Sequence, residues 1–167
     1  MEKIYSTWTL ITDKLEQVGT WLPQLALRIL LAWEFWESGV EKFNGNNWFA
    51  HIKDNFPFPF NHVPVELSWF ISTWSELIGS LMLLVGLFTR FWSLTLIVLS
   101  IVAIAAVHWP ESYGSIGELL KGYAITDKGY GNYKLPLLYI ILFIPLLFNG
   151  AGKASVDHLL ARYLRQR

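Results

Sequence analysis

The 167-residue chain contains no cysteine, which excludes disulfides, iron–sulfur clusters held by this chain, cysteine-bound copper and any thiol nucleophile of its own. Its 13 basic and 13 acidic residues balance to a formal charge of zero. There is thus no basic excess to recruit nucleic acid and no acidic tail to mimic it, and no nucleic-acid partner is expected. Charge is scarce altogether, at 16% of the residues against roughly 25% in soluble domains. The N-terminus lacks the basic flank, apolar stretch and small-residue cleavage site of a signal peptide, so it is expected to be retained. No His-x-x-x-His pair occurs, which leaves a metal site without support. Bis-histidine haem would need a second histidine at the depth of His108, and His51, His62 and His158 fall in loops or the tail. No haem is expected. No internal repeat is evident.

What the chain has in abundance is apolar surface: 53% hydrophobic and 16% aromatic residues, with a mean hydropathy of +0.37. Four apolar stretches, near 22–43, 67–88, 91–109 and 130–148, approach the ~20 residues that a helix needs to cross a hydrocarbon core. The third, "FWSLTLIVLSIVAIAAVHW", holds one titratable group, His108, at its end. The fourth reaches spanning length only if Tyr130 to Lys134 are included, with Tyr130, Tyr133 and Lys134 at the headgroup boundary. Pro136 and Pro145 in it are tolerable where neighbouring helices satisfy the freed carbonyls.

Before these stretches, residues 1–20 alternate Trp8, Leu10, Ile11, Leu15 and Val18 with Lys3, Asp13, Lys14 and Glu16. This pattern predicts an interfacial amphipathic helix. The fold class is therefore an all-α integral membrane four-helix bundle: residues 1–20 form the interfacial helix, and residues 21–167 form a single domain with a short tail helix. Thr89 and Arg90 are read as the tight connection between spans two and three. The first loop is rich in turn residues and in aromatic–proline alternation that favours extended chain. The third loop holds a short helix near Ile116 to Lys121. Eight of the 13 basic residues (Lys3, Lys14, Arg28, Arg90, Lys153, Arg162, Arg165, Arg167) lie on the side of the termini, which the positive-inside rule places in the cytoplasm.

The first span is unusual in its charges. At 100° per residue, Arg28, Phe35, Gly39 and Lys42 share an arc of about 60°, and Glu34, Glu37 and Glu41 form a second stripe about 100° away. A charge at the bilayer centre costs roughly 2.5 to 3.5 kcal/mol on insertion scales, so such groups pair, protonate or line a cavity. Arg28, Glu41 and Lys42 lie near the ends and are read as boundary anchors that snorkel. Glu34 and Glu37 mark a polar patch inside the bundle, for which proton-carrying and structural pairing both stay open. In span two, Glu66, Trp69, Thr73, Glu76 and Ser80 form a stripe about 80° wide, with Glu76 near mid-span. Ser72, Gly79 and Gly86 read as a close helix-packing surface. His108 is either an interfacial hydrogen-bonding residue or a ligand or proton donor.

Arg28, Phe35, Gly39 and Lys42, the hairpin "SELIGSLMLLVGLFTRFWSL" and the ending "NGAGKASVDHLL" together resemble the DoxX family of small four-helix membrane proteins, over about residues 24 to 160. "HWPES" and "DHLL" are closest to the branch found beside metal-binding modified-peptide systems. Glu34 and Glu37 depart from the family pattern, where apolar residues are typical. The resemblance implies a multi-pass protein of a bacterial-type inner membrane, acting with a protein partner or as a homo-oligomer. For some relatives it implies the quinone-facing subunit of an oxidoreductase.

On the quinone-linked reading, Glu76, Glu34, Glu37 and His108 are the candidate catalytic, proton-handling residues. Arg28, Lys42 and Arg90 are the candidates for binding a quinone head. The alternative is a non-catalytic anchor or assembly factor of a metal- or sulfur-stress system, whose charges merely pair across helices. A transporter is a third reading, against which stands the absence of an inverted repeat.

Overall fold

The computed structural model describes residues 1–124 and 131–166, with the backbone alone for residues 2–4. Tyr130 and Arg167, both given a boundary or topological role from sequence, lie outside the described residues. Among the described residues the chain is helical, with no strand. The helices are α1 (Glu2–Gly19), α2 (Leu22–Asn44), α3 (Val65–Val85), α4 (Thr89–Ala103), α5 (Ile116–Lys121), α6 (Lys134–Asn149) and α7 (Val156–Arg165). α4 continues as a π-helical turn over Ile104–His108.

α2 packs on α3, α3 on α4, α4 on α6 and α6 back on α2, so the four contacts close a ring. Its core is Leu31, Ala32 and Phe35 from α2, Leu83 from α3, Leu96 and Ile97 from α4, and Phe143 and Leu146 from α6. Two small residues let the backbones approach. A Cβ on Gly39 would lie 3.0 Å from Leu77 Cδ2, and one on Gly79 would lie 3.1 Å from Trp92 and 3.3 Å from Leu96. The packing role read for Gly79 is thus what the structure has.

The outside of the ring is as apolar as the inside. Trp33, Phe70, Ile71, Trp74, Leu81, Phe91, Leu94, Ile101, Ile141 and Phe148 are all exposed. α3 and the helical run Thr89–His108 are each long and apolar enough to cross a membrane, and only 33% and 28% of their apolar windows are buried. A water-soluble core helix would hide most of such a window, so these surfaces suit an apolar surrounding.

Three expectations need correction. The fourth apolar stretch is a helix of only 16 residues, because it starts at Lys134. Tyr133, read as a headgroup anchor, is 8% exposed; it donates to Leu119 O at 2.8 Å and stacks on Trp109, so it fastens α5 to the end of α6. The first loop is not extended. It folds into three 3₁₀ turns at Phe49–His51, Lys53–Asn55 and Phe60–His62, because Phe49 and Phe56 stack edge-on and Phe49 and Trp48 both dock on Trp69 of α3.

The α3–α4 connection is also displaced. Thr89 and Arg90 begin α4, and the turn is Gly86–Leu87–Phe88. Gly86 N–H donates to Leu83 O at 3.1 Å and Leu87 N–H to Met82 O at 2.9 Å, the paired bonds of a Schellman ending with glycine at φ +70°. A Cβ there would also sit 2.6 Å from Arg28 Cζ. Gly86→Ala is therefore expected to cost at least about 1 to 3 kcal/mol in detergent unfolding. Gly117→Ala, whose Cβ would meet only Ser115 Oγ at 3.8 Å, should leave the midpoint unchanged.

Candidate functional site

α2 carries most of the candidate residues, and its buried face sets where each one goes. Arg28, Leu31, Ala32, Phe35 and Gly39 are its buried positions. Residues about 100° from that face must leave the interior. The predicted arc of Arg28, Phe35, Gly39 and Lys42 is the inner one.

At the far end of α2, Lys42 Nζ lies 2.9 and 2.8 Å from the two carboxylate oxygens of Glu76, and it also donates to Ser38 Oγ at 2.8 Å. The two side chains are 14% and 7% exposed. Lys42, read as a boundary anchor, is instead the counter-ion of Glu76. Gly39 makes this possible: a Cβ there would lie 3.1 Å from that of Glu76, so α2 comes close enough for the pair to close. Ser38 carried no role in the sequence reading; its position one turn before Lys42 is the signal that would have found it.

About 21 Å along the helix, at 1.5 Å per residue, Arg28 is 1% exposed. Its Nε donates to Leu83 O and one Nη to Leu84 O, both at 2.7 Å, while the other Nη reaches Ala151 O at 3.0 Å and Ala154 O at 2.8 Å. Four of its five N–H groups are thus spent on backbone. The snorkelling anchor expected here is a buried clasp, because the carbonyls that end α3, Leu84 O and the Leu83 O that Gly86 N–H also meets, attract a cation. Arg90 is exposed and donates to Phe148 O at 3.1 Å, at the end of α6.

Asp157 completes that end. Its carboxylate accepts from Phe88 N at 2.8 Å and Thr89 N at 2.9 Å, capping α4, while its own N–H donates to Gly86 O at 2.9 Å. Sequence reading quoted this aspartate in the ending "NGAGKASVDHLL" and gave it no task. Sequence spacing alone does not reveal a cap supplied from 68 residues away.

The carboxylates of the second stripe separate. Glu34 is half-buried and accepts from Tyr139 Oη of α6 at 2.5 Å. Phe35 packs against both Tyr139 and Phe143 beside it. Glu37 and Glu41 are exposed on the outer surface of α2, so the interior polar patch expected around Glu34 and Glu37 reduces to Glu34 alone. Tyr139 is the polar group within the apolar run "LPLLYIILFIPLLF", and that isolation could have singled it out.

His108 ends the π-helical turn, with Nδ1 2.5 Å from Asn132 Oδ1 and its carbonyl accepting from Asn132 N at 3.0 Å. The π register frees carbonyls that an α-helix would use. Ala106 O accepts from Asn55 Nδ2 at 3.5 Å, so the first and third loops both dock here. A groove of about 320 Å³ lined by Ile101, Ile104, Ala105 and Trp109 runs along this turn. The candidate residues thus fall into separate places: Lys42 with Glu76, Glu34 with Tyr139, His108 with Asn132, and Arg28 and Arg90 at the opposite end. No group of three or more histidine, aspartate or glutamate side chains fit to hold a metal occurs among the described residues.

The profile of the DoxX family matches residues 24–109. An uncharacterized protein of Haemophilus influenzae is 43% identical over 149 residues, which is 89% of this chain and 90% of that protein. The likeness therefore extends well past the residues of the family match. No solved structure matches.

Arg28→Lys is the sharpest test of the clasp. A single ammonium cannot serve carbonyls on two segments in fork geometry, and each carbonyl left buried and unmet costs about 1 to 3 kcal/mol. We expect a loss of at least ~2 kcal/mol in detergent unfolding, with faster amide exchange confined to the end of α3 and residues 150–157. Wild-type exchange there would sink the assignment.

Proposed function

The chain belongs to the DoxX family, and from that premise we propose that it is a non-catalytic membrane subunit, the anchor or assembly partner of another protein in a metal- or sulfur-stress system. On this reading α2, α3, α4 and α6 cross a bacterial-type inner membrane and both termini are cytoplasmic. Supporting that orientation, Arg28, Arg90 and the segment from Lys153 to Arg165 gather at one end of the ring, which fits the positive-inside rule.

The observation that carries the partner reading is Glu37. The buried ionisable groups find their partners inside the chain: Glu76 with Lys42, Glu34 with Tyr139, Arg28 with backbone. Glu37 is left on the outer surface of α2, one turn after exposed Trp33 and next to exposed Trp36 in sequence, with no hydrogen bond among the described residues. Facing lipid, such a carboxylate is costly; facing a partner helix that offers a donor or a cation, it is satisfied.

A quinone-linked oxidoreductase subunit is the second reading, favoured by the groove beside His108. Its volume of roughly 320 Å³ and apolar walls fall in the size range of small-molecule sites, with Ile101, Ile104, Ala105 and Trp109 to hold a ring; His108 ends the same π-helical turn but does not line the groove. When bound, a quinone would supply the electron acceptor for a partner's donor. The Lys42–Glu76 seam offers no such room, since Gly39 already touches Leu77 and Glu76.

Two variants, Glu37→Leu and Ala105→Trp, separate these readings, and a third tests the Lys42–Glu76 pair. Glu37→Leu is expected to leave detergent stability equal or higher and to abolish the larger species seen by native mass spectrometry in mild detergent; an unchanged assembly would refute the partner reading. Glu76→Gln should cost about 3 to 5 kcal/mol by leaving Lys42 buried and unpaired, with much of that recovered in Lys42→Met/Glu76→Met. Quinone enrichment over the source membrane, lost in Ala105→Trp at unchanged stability, would instead establish the second reading.

A further inference from the structure

α7 is amphipathic. Leu159, Leu160 and Leu164 lie at the i, i+1 and i+5 positions of one apolar arc. All are exposed, Leu159 at 63% and Leu164 at 69%. Arg162 and Arg165 lie on the opposite arc, with Lys153 just before the helix, and all three are exposed. At ten residues, about 15 Å long, α7 is too short to cross a bilayer.

The tether of α7 fixes where it must lie. Ser155 Oγ caps it by accepting from His158 N at 3.2 Å, and Asp157 binds the turn from α3 to α4 on both sides. That turn is where two membrane-length helices end. Around it the apolar surface continues outward through exposed Phe88, Phe91 and Phe148. Lys153 N also reaches Thr20 O at 3.5 Å, so α1 leaves from the same end, with Trp8, Ile11 and Leu15 exposed along one face. Two amphipathic helices thus attach at this end of the ring, each with exposed apolar side chains.

We propose that α7 lies flat on the bilayer, its leucine row at the headgroup–acyl boundary and Arg162, Arg165 and Lys153 on anionic headgroups. The occupant is a lipid surface of negative charge. Two features support it: the basic arc complements anionic lipid, and Asp157 ties the start of α7 to the turn where two membrane-length helices meet. This inference rests on the reading of the chain as membrane-spanning.

The absence of cysteine makes the test clean. Full-length protein carrying Leu160→Cys, Ala161→Cys or Val98→Cys is labelled with an environment-sensitive fluorophore and placed in nanodiscs of phosphatidylcholine, with or without phosphatidylglycerol. Shallow lipid-borne quenchers should quench position 160 at least two-fold more than position 161 in anionic discs. Adding Arg162→Gln/Arg165→Gln should return position 160 to its level in neutral discs.

Equal quenching at 160 and 161 would overturn the proposal, as would equal quenching of position 160 in both lipids. So would a buried but unquenched label whose burial rises with protein concentration, the signature of a second copy as occupant. Position 98 on α4 reports spanning separately. If deep quenchers fail there, the membrane-spanning reading falls; if they succeed while position 160 stays in water, only the α7 proposal falls.

Discussion

The guanidinium of Arg28 is the point on which three segments of the chain depend. Its donors end α3 by meeting Leu83 O and Leu84 O, and they fix the loop before α7 by meeting Ala151 O and Ala154 O. Charge-assisted bonds of about 1.5 to 3 kcal/mol each are together of the same order as the several kcal/mol needed to take the cation out of water. The favourable field of the α3 C-terminus then decides the sign. Without this cation Leu84 O would lose its donor and Leu83 O would keep only Gly86 N–H, and a carbonyl left unmet is costly wherever water is excluded.

Asp157 answers Arg28 with the opposite charge at the opposite helix end. It sits at the N-terminus of α4 and accepts two backbone N–H groups, so each helix of the α3–α4 hairpin meets the charge its dipole favours. Gly86 between them is held by Arg28 on one side and Ser155 on the other. The tail segment is consequently part of the fold and not an appendage. Asp157 ties the start of α7 to the hairpin, and Arg28 ties the hairpin to α2.

At the other end the logic is aromatic and local. The first loop wraps Trp48, Phe49 and Phe56 onto Trp69, and the π turn of α4 supplies carbonyls that bind Asn55 and Asn132. Near this same end the Lys42–Glu76 pair, at the last turn of α2, bridges α2 and α3. A buried pair of this kind is weak as a source of stability; its effect is to fix the register of two helices that Gly39 lets come close.

Composition and hydrophobic runs by themselves determined that the chain is helical, where α2, α3 and α4 run, that α1 is amphipathic, and that Arg28, Phe35, Gly39 and Lys42 share one face. Those features follow from helical period and from the length of apolar runs, which are local. The spacing along α2 also exposed the tension of carboxylates in an apolar helix. Which carboxylate would be paired was beyond its reach. Glu34, Glu37 and Glu76 are alike in sequence, yet one meets Tyr139, one faces outward and one meets Lys42. Only the packing of α6 and α3 against α2 decided this, because a counter-charge or cap contributed from 34, 105 or 68 residues away leaves no periodic trace in the segment that receives it.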